Sequence, residues 1–266
     1  MNIRNLTPAL RPGSVALVGA SEREGSVGAI VLRNVLAGGF AGSVYPINPK
    51  HGELMGRRCY PRATDLPQPP DLAVIMTPPQ TVPEVVANLG AAGCKAAVVI
   101  TAGIDKASGL REAMLQAARR HTMRLIGPNT IGLLSPLVGL NASFAHLAAR
   151  PGRLGLISQS GAIVSSIIDW AAAEQVGFSQ MLSLGDMADV DVGDCINWLA
   201  ADRETSAILM YLETIPEARK FMSAARAASR IKPLICIKPG RHEAAAKAAF
   251  THTGSLAGSD DVVDAA

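Results

Sequence analysis

Short apolar runs alternate with helical segments along most of the chain, and this alternation limits the possible fold more than any other feature. Buried parallel strands are continuous apolar runs, and each needs a crossover helix before the next strand. The first half of the chain therefore predicts a parallel sheet with helices on its faces. Its strand-like runs are SVALVGA, GSVYPIN, DLAVIMTP, AAVVITAG and RLIGPN.

The alternation lapses between Leu133 and Pro151, in a stretch predicted to be a loop, and then begins again. The strand-like runs of the second series are RLGLISQ, FSQMLSLG, SAILMYLE and KPLICIKPG. A chain of 266 residues is long enough for two domains that each bury a core. We predict an α/β protein of two tandem Rossmann-like domains, one at residues 1–135 and one at residues 150–266.

Composition and charge exclude several classes of function. The chain has 48% apolar residues and a net charge of +3 without clustered basic residues, so no nucleic-acid partner is expected. No run approaches the roughly 20 apolar residues that cross a bilayer, so no membrane partner is expected. The four cysteines form no C-x-x-C pair, which indicates reduced thiols and a cytoplasmic location. No metal-ligand cluster is predicted.

The last residues, GSDDVVDAA, have the pattern of a helix that has only begun. Ser259 is placed as an N-cap, and Asp260 and Asp261 follow in the first turn. The chain ends before such a helix would be complete, so we expect it to be a fragment of a longer polypeptide.

The first strand-to-helix turn resembles a phosphate-binding loop but lacks the dinucleotide fingerprint. Gly19 follows the first strand and Gly28 stands where the next helix opens, so backbone N–H groups and a helix dipole face the strand end. The second and third glycines of G-x-G-x-x-G would fall at Ser21 and Glu24. A nicotinamide-dependent oxidoreductase is therefore the weakest of the functions that the fold allows.

The end of the second strand tests the nucleotide type independently. An NAD-binding domain has an acidic residue there for the ribose hydroxyls, whereas this sequence has Lys50. A lysine attracts an additional ribose phosphate, as in NADP or coenzyme A, but it is equally common as a solvated loop residue. Thr77 and Pro78 follow a neighbouring strand and mark the same sheet edge, although turn chemistry alone would explain them.

A candidate anion site lies in the second domain, where a strand leads into a helix through Ser158, Gln159, Ser160 and Gly161. Two hydroxyl groups and several N–H groups at the positive end of a helix are suited to a small anion. An ordinary serine N-cap would explain the same residues.

Two further residues complete this candidate site. Glu213 ends an otherwise apolar strand at the same sheet edge, and His252 lies in a loop rich in Gly, Ser and Thr. A carboxylate can accept the N–H of an imidazole and stabilise its cation, while the other ring nitrogen attacks a phosphoryl group. Glu213 would also suit the start of the following helix. If the His252 loop folds back over this edge, the two residues form a phosphoryl-transfer pair.

Eight segments resemble, in the same order, the nucleoside-diphosphate-forming acyl-CoA synthetases, the superfamily of the succinyl-CoA synthetase α subunit and the ADP-forming acetyl-CoA synthetases. The segments are GASEREGSVG, YPINPK, PDLAVIMTPP, GPNTIGLLSP, ISQSGAI, SLGD, YLE and THTGSLAGSD. The resemblance implies a CoA-binding first domain, a flavodoxin-like second domain and the reaction acyl-CoA + ADP + phosphate ⇌ acid + CoA + ATP. The sequence departs from the family pattern at Thr130, where many members have cysteine.

The same resemblance implies roles for individual residues. His252 corresponds to the histidine phosphorylated in turnover, and Glu213 to its carboxylate partner. The phosphate site corresponds to Ser158, Gln159, Ser160 and Gly161, and the CoA site to Gly19, Ser21, Lys50, Thr77, Pro78 and Asn129. ADP or ATP with magnesium is implied to bind an ATP-grasp module outside this chain, on a β subunit or further along a fused chain, in an oligomeric assembly.

A second resemblance leaves a regulatory function open. The segments MRLIGPNTIGLLSPLVGLNASF, DWAAAEQVGFSQMLSLGDMADVDV and SAARAASRIKP resemble the synthetase-like region of bacterial protein lysine acetyltransferases, which is fused to a GNAT domain. In some of those proteins the phosphorylated histidine is lost, and the region is thought to sense acetyl-CoA. Because His252 is retained here, the synthetase function is favoured and an acyl-CoA-sensing module is the alternative.

Overall fold

Two sheets, each flanked by helices, form the architecture in a computed structural model that describes residues 3–105 and 107–239. The first sheet is entirely parallel and has the order β2-β1-β5-β6-β7. Its strands are β1 (Ser14–Val18), β2 (Ser43–Ile47), β5 (Leu72–Ile75), β6 (Ala96–Val99) and β7 (Arg124–Ile126), and a small hairpin of β3 (Glu53–Leu54) and β4 (Arg57–Arg58) follows β2. The helices of this part are α1 (Leu6–Leu10), α2 (Val27–Ala37), α3 (Val82–Ala91) and α4 (Leu110–Arg120).

The second sheet has six strands in the order β13-β12-β10-β11-β8-β9, in which β8 (Gly132–Ser135) and β9 (Leu140–Ser143) form one edge. Four of them are parallel, namely β10 (Arg150–Ser158), β11 (Gly177–Ser183), β12 (Ala207–Tyr211) and β13 (Leu234–Ile237). The connecting helices are α5 (Gly161–Ala173), α6 (Val192–Ala201) and α7 (Ala218–Ser229). The predicted fold class of two Rossmann-like α/β units is confirmed.

The stretch from Leu133 to Pro151, predicted to be a loop, contains regular structure, so that part of the prediction was wrong. It holds β8 (Gly132–Ser135) and β9 (Leu140–Ser143), which pair with each other and add an antiparallel edge to β11. The strands are only four residues long, and a turn with Pro136 and Gly139 separates them. Runs this short cannot be distinguished from loop by periodicity, and packing in the folded protein decides their conformation.

The β8–β9 pair also joins the two units. Leu133, Leu140 and Ala142 belong to one buried apolar cluster with Val31 and Leu32 of α2. The side-chain amide of Asn34, also on α2, donates hydrogen bonds to the backbone oxygens of residues 143 and 145 at 2.9 and 2.8 Å. The two units therefore share a core instead of being connected by a bare linker.

A second connection follows β11. Backbone N–H groups of Asp186, Ala188 and Val190 donate in turn to the oxygens of Pro128, Gly127 and Leu125, so this segment extends the edge of the first sheet. We call residues 186–190 the strap. Gly185 precedes it with a φ of 52°, and a Cβ there would lie 2.2 Å from the oxygen of Pro128. Only glycine allows the strap to approach the first sheet this closely.

Candidate functional site

A cleft of about 1380 Å³ opens where the carboxyl ends of the strands of the two sheets approach each other. This edge is where open α/β sheets bind ligands. Seven of the predicted site residues line the cleft: Thr77, Pro78, Asn129, Gln159, Ser160, Gly161 and Glu213. Gly19, Ser21, Lys50 and Ser158 lie outside its lining, and His252 lies outside the described residues.

The turn after β1 brings two glycines into direct contact. Gly19 has a φ of 87°, and a Cβ on Gly28 would lie only 2.2 Å from the Gly19 oxygen. The N-terminus of α2 is therefore packed onto the strand end, with Ser26 as its N-cap. Ser21 lies in the same turn, where its hydroxyl accepts the N–H of Arg23 at 3.0 Å. An unsubstituted backbone at a helix N-terminus is a suitable cradle for a phosphate group.

Lys50 is held beside this turn by an asparagine. The side-chain amide of Asn48 donates to the oxygen of Ala20 at 2.8 Å, and its carbonyl accepts the N–H of Lys50 at 3.0 Å. These two hydrogen bonds connect the ends of β1 and β2, and the exposed residue Lys50 lies at this junction. The predicted group of Gly19, Ser21 and Lys50 is brought together at one sheet corner.

Hydrogen bonds connect the ends of three neighbouring strands of the first sheet. The Thr101 hydroxyl donates to the oxygen of Thr77 at 2.7 Å, and the N–H of Asn129 donates to the oxygen of Thr101 at 3.0 Å. Asn129 has a φ of 59°, and its amide donates to a carboxylate oxygen of Asp186 at 3.2 Å. Thr77 and Asn129 therefore belong to one continuous wall of the cleft. This wall ends at Asp186, in the second unit.

The turn into α5 places two serines differently. Ser160 caps the helix, and its hydroxyl accepts the N–H of Ile163. Ser158 is fully buried, and its hydroxyl both donates to the oxygen of Ser160 and accepts the Ser160 N–H, at 2.8 and 3.1 Å. Ser158 therefore fixes the shape of the turn, while Ser160 and Gly161 form the surface that faces the cleft.

Gln159 clamps the loop that carries Glu213. Its amide oxygen accepts the N–H groups of Glu213 and Thr214, at 2.5 and 2.9 Å, and its amide nitrogen donates to the oxygen of Thr214. Gln159 is 9% exposed. Because both ends of the amide are used by this loop, the geometry gives Gln159 the role of holding Glu213 beside the start of α5.

Glu213 lies after β12, as predicted, and half-buried on the cleft. Burial raises the pKa of the neighbouring Tyr211 phenol, and the negative charge of Glu213 raises it further. Glu213 lines the same cleft as Ser160 and Gly161 at the N-terminus of α5, where the helix dipole favours an anion. The site can accept a hydrogen bond from an imidazole at this position.

Sequence reasoning did not identify the two arginines of the cleft. Arg23 and Arg111 line the cleft, and a guanidinium nitrogen of Arg111 lies 3.4 Å from the backbone oxygen of Asp186. The surrounding protein raises the pKa of the Asp186 carboxyl through desolvation, although Asn129 and Arg111 act in the opposite direction. No sequence pattern distinguishes an arginine that lines a cleft from an ordinary surface arginine in the first turn of a helix.

The cysteines lack the properties of nucleophiles. Burial raises the pKa of the Cys94 thiol to about 12, and it also raises the pKa of Cys59, Cys195 and Cys236. Thiolates are the reactive form, so these side chains behave as small apolar residues.

Within residues 3–105 and 107–239, no group of three His, Cys, Asp or Glu side chains could hold a metal ion. None of the helices in this part is both long and apolar enough to cross a membrane.

Family comparisons match both halves of the chain. A model described as CoA binding domain matches residues 13–136, and one described as Succinyl-CoA ligase like flavodoxin domain matches residues 151–266. Together they cover the first sheet and most of the second, whereas residues 137–150, which include β9, lie between the two matches.

Individual proteins resemble the chain over nearly its whole length. An ADP-forming acetate–CoA ligase I of Archaeoglobus fulgidus is 39% identical over 96% of this chain and 38% of its own length. Subunit alpha of the ADP-forming acetate–CoA ligase I of Pyrococcus furiosus is 38% identical over 98% of this chain and 58% of its own.

A solved structure shares the fold closely. It is the acetyl-coenzyme A synthetase 1 of Candidatus Korarchaeum cryptofilum in complex with phosphate and ADP, with a TM-score of 0.92 and 41% identity over 97% of this chain. The match covers 57% of that protein. The present chain thus spans between about two fifths and three fifths of the length of these relatives.

Proposed function

The chain belongs to the α-subunit-like family of ADP-forming acetyl-CoA synthetases, a CoA-binding domain followed by a succinyl-CoA ligase-like domain, and from this premise we propose that it carries the acyl-CoA and phosphate half of such a synthetase. The complete reaction is acyl-CoA + ADP + phosphate ⇌ acid + CoA + ATP. We divide the chain at residues 1–135 and 150–266, with the β8–β9 pair bridging the two parts.

The observation that carries the proposal is the cleft shared by the two units. It brings the wall of Thr77 and Asn129 in the first unit opposite the α5 N-terminus and Glu213 in the second. CoA enters from the corner of Gly19, Ser21 and Lys50, and its thiol end passes Thr77, Pro78 and Asn129. The thioester carbon then lies next to a phosphate held by Ser160 and Gly161 at the positive end of α5.

The chemistry has two steps. A phosphate oxygen attacks the thioester carbon, the carbon–sulfur bond breaks, and the proton of the hydrogen phosphate passes to the leaving thiolate, which gives an acyl phosphate and CoA. A ring nitrogen of His252 then attacks phosphorus, and the acid leaves as a carboxylate. Glu213 accepts the remaining ring N–H and stabilises the imidazolium that carries the phosphoryl group. His252 takes this role from the sequence resemblance.

The phosphoryl group must then reach ADP on a module outside this chain. The relatives that it matches are considerably longer than the matched part, which supports an ATP-grasp partner on a separate β subunit or on the same polypeptide, with magnesium as the counterion of the nucleotide. The acyl-CoA-sensing module of a GNAT-fused acetyltransferase is not favoured, because the relatives named above are ligases. We propose a cytoplasmic, oligomeric enzyme with an acyl group as small as acetyl.

The placement of Lys50 predicts how the chain distinguishes CoA from dephospho-CoA. Replacement by alanine is expected to weaken CoA binding about tenfold and to leave dephospho-CoA binding unchanged, because an ion pair with the additional ribose phosphate is lost. Titration calorimetry with both ligands, and with NAD and NADP, makes the comparison. Lys95→Ala, an exposed lysine before β6, is the matched control. Failure of the unmodified chain to bind CoA, or tighter binding of NADP than of CoA, would contradict the proposal.

A further inference from the structure

Part of the cleft lining is apolar, and neither the phosphate site nor the CoA site accounts for it. We call four of these apolar residues the apolar wall: Val27, Ile131, Phe144 and Ala162. They come from the first residue of α2, the segments on either side of the β8–β9 pair and the first turn of α5. The wall thus lies between two helix N-termini, and none of its members is ionisable.

Packing fixes the wall in place. Ile131 is 5% exposed and lies in an apolar cluster with Val164 and Leu156, against which Phe144 also packs. The N–H of Phe144 donates to the oxygen of Ile131 at 3.1 Å. A Cβ on Gly161 would lie 3.3 Å from the Cβ of Ile131, so the wall directly adjoins the first residue of α5. Val27 is 37% exposed and Ala162 is also exposed, which leaves apolar surface open to the cleft.

The position of the wall determines what can lie against it. This step rests on the proposed function, in which phosphate binds at the start of α5 and the thiol end of CoA arrives past Thr77 and Asn129. The thioester carbon must lie between them, so its third substituent, the acyl chain, points away from both. We propose that the apolar wall binds this acyl chain and that Phe144 limits its length.

Solvation explains the expected selectivity. A saturated acyl chain gains by leaving water, about 0.8 kcal/mol for each methylene group buried. A carboxylate at the end of a succinyl chain would lose its hydration against four side chains that offer it no hydrogen bond. Of the two arginines that line the cleft, Arg111 donates to the backbone oxygen of Asp186, and Arg23 lies in the turn before α2.

Binding of an acyl-CoA series tests the wall. Affinities of the intact chain for CoA, acetyl-CoA, butyryl-CoA, hexanoyl-CoA and succinyl-CoA are measured by titration calorimetry. Phe144→Ala is expected to improve hexanoyl-CoA binding about tenfold, the equivalent of two additional buried methylene groups, and to leave CoA binding unchanged. Ala162→Leu, which adds volume on an exposed helical position, is expected to weaken butyryl-CoA binding at least fivefold, again without an effect on CoA.

Phe40→Ala is the matched control, since Phe40 also packs partly buried against a core cluster but does not line the cleft. It should leave the order of affinities unchanged. Unaltered chain-length preference in both wall variants, or succinyl-CoA binding as tight as butyryl-CoA binding, would overturn the inference. If CoA itself does not bind, the proposed function fails instead, so the two failures are distinguishable.

Discussion

Replacement of Arg124 by methionine is expected to lower the free energy of unfolding by about 3–5 kcal/mol. Arg124, at the start of β7, donates to the carboxylates of Asp189 and Asp194, at 2.9 and 2.8 Å. Its side chain is 8% exposed, and that of Asp194 is fully buried. Removal of the guanidinium would leave two carboxylates with too little positive charge nearby. Among the described residues, Lys220, 2.7 Å from Asp194, is then the remaining cation that pairs with Asp194.

Denaturant unfolding of both forms measures this effect. Arg119→Met is the matched control, because Arg119 pairs with Glu112 at 3.3 Å while both side chains are more than half exposed. Such surface pairs contribute at most about 1 kcal/mol. Equal changes in the two variants would show that the buried network does not connect the first unit to the strap and to α6 in the way described.

Replacement of Gln159 by leucine is expected to slow phosphoryl transfer about a hundredfold while CoA affinity stays the same. The leucine cannot accept the N–H groups of Glu213 and Thr214 or donate to the Thr214 oxygen, so the loop with Glu213 shifts away from α5. A displacement of about 1 Å near reacting groups can cost a factor of this size. Gln159 is thus a positioning residue.

Steady-state kinetics of the assembled synthetase separate this role from direct binding of phosphate. The clamp predicts a lower kcat with little change in the KM for phosphate, whereas a phosphate ligand, the role that the sequence resemblance implied, predicts a higher KM. Gln116→Leu, on the exposed face of α4, is the control and should behave like the unmodified protein. A raised KM with an unaltered kcat would refute the clamp.

The sequence predicted the central parts of the fold well, for a clear physical reason. Strands such as β1, β5 and β6 are buried along their entire length, so they are continuous apolar runs between helices. The elements that sequence reasoning missed are short: α1 has five residues, β8 and β9 have four each, and the β3–β4 hairpin has two on each side. Contacts distant in the chain stabilise these elements, and local patterns do not contain that information.

The candidate site shows a similar limit. Thr77 and Glu213 lie at strand ends, as predicted, and parallel strands end at a common edge. Both line the cleft together with Asn129, which the family resemblance alone had singled out. The hydrogen bonds that each side chain makes were not predictable. Gln159 shows this, because its hydrogen-bond partners lie more than 50 residues away in the sequence. Phe144 was missed because a single aromatic residue in a supposed loop gives no pattern.

The most direct test of the account is transfer of labelled phosphate to the protein. The chain is incubated with acetyl-CoA and labelled inorganic phosphate, alongside His252→Ala and the exposed-histidine control His51→Ala. We expect acid-labile label on the unmodified chain and on His51→Ala, none on His252→Ala, and CoA binding within a few fold in all three. Absence of label from the unmodified chain while CoA is bound, or equal label on His252→Ala, would contradict the proposed phosphoryl transfer.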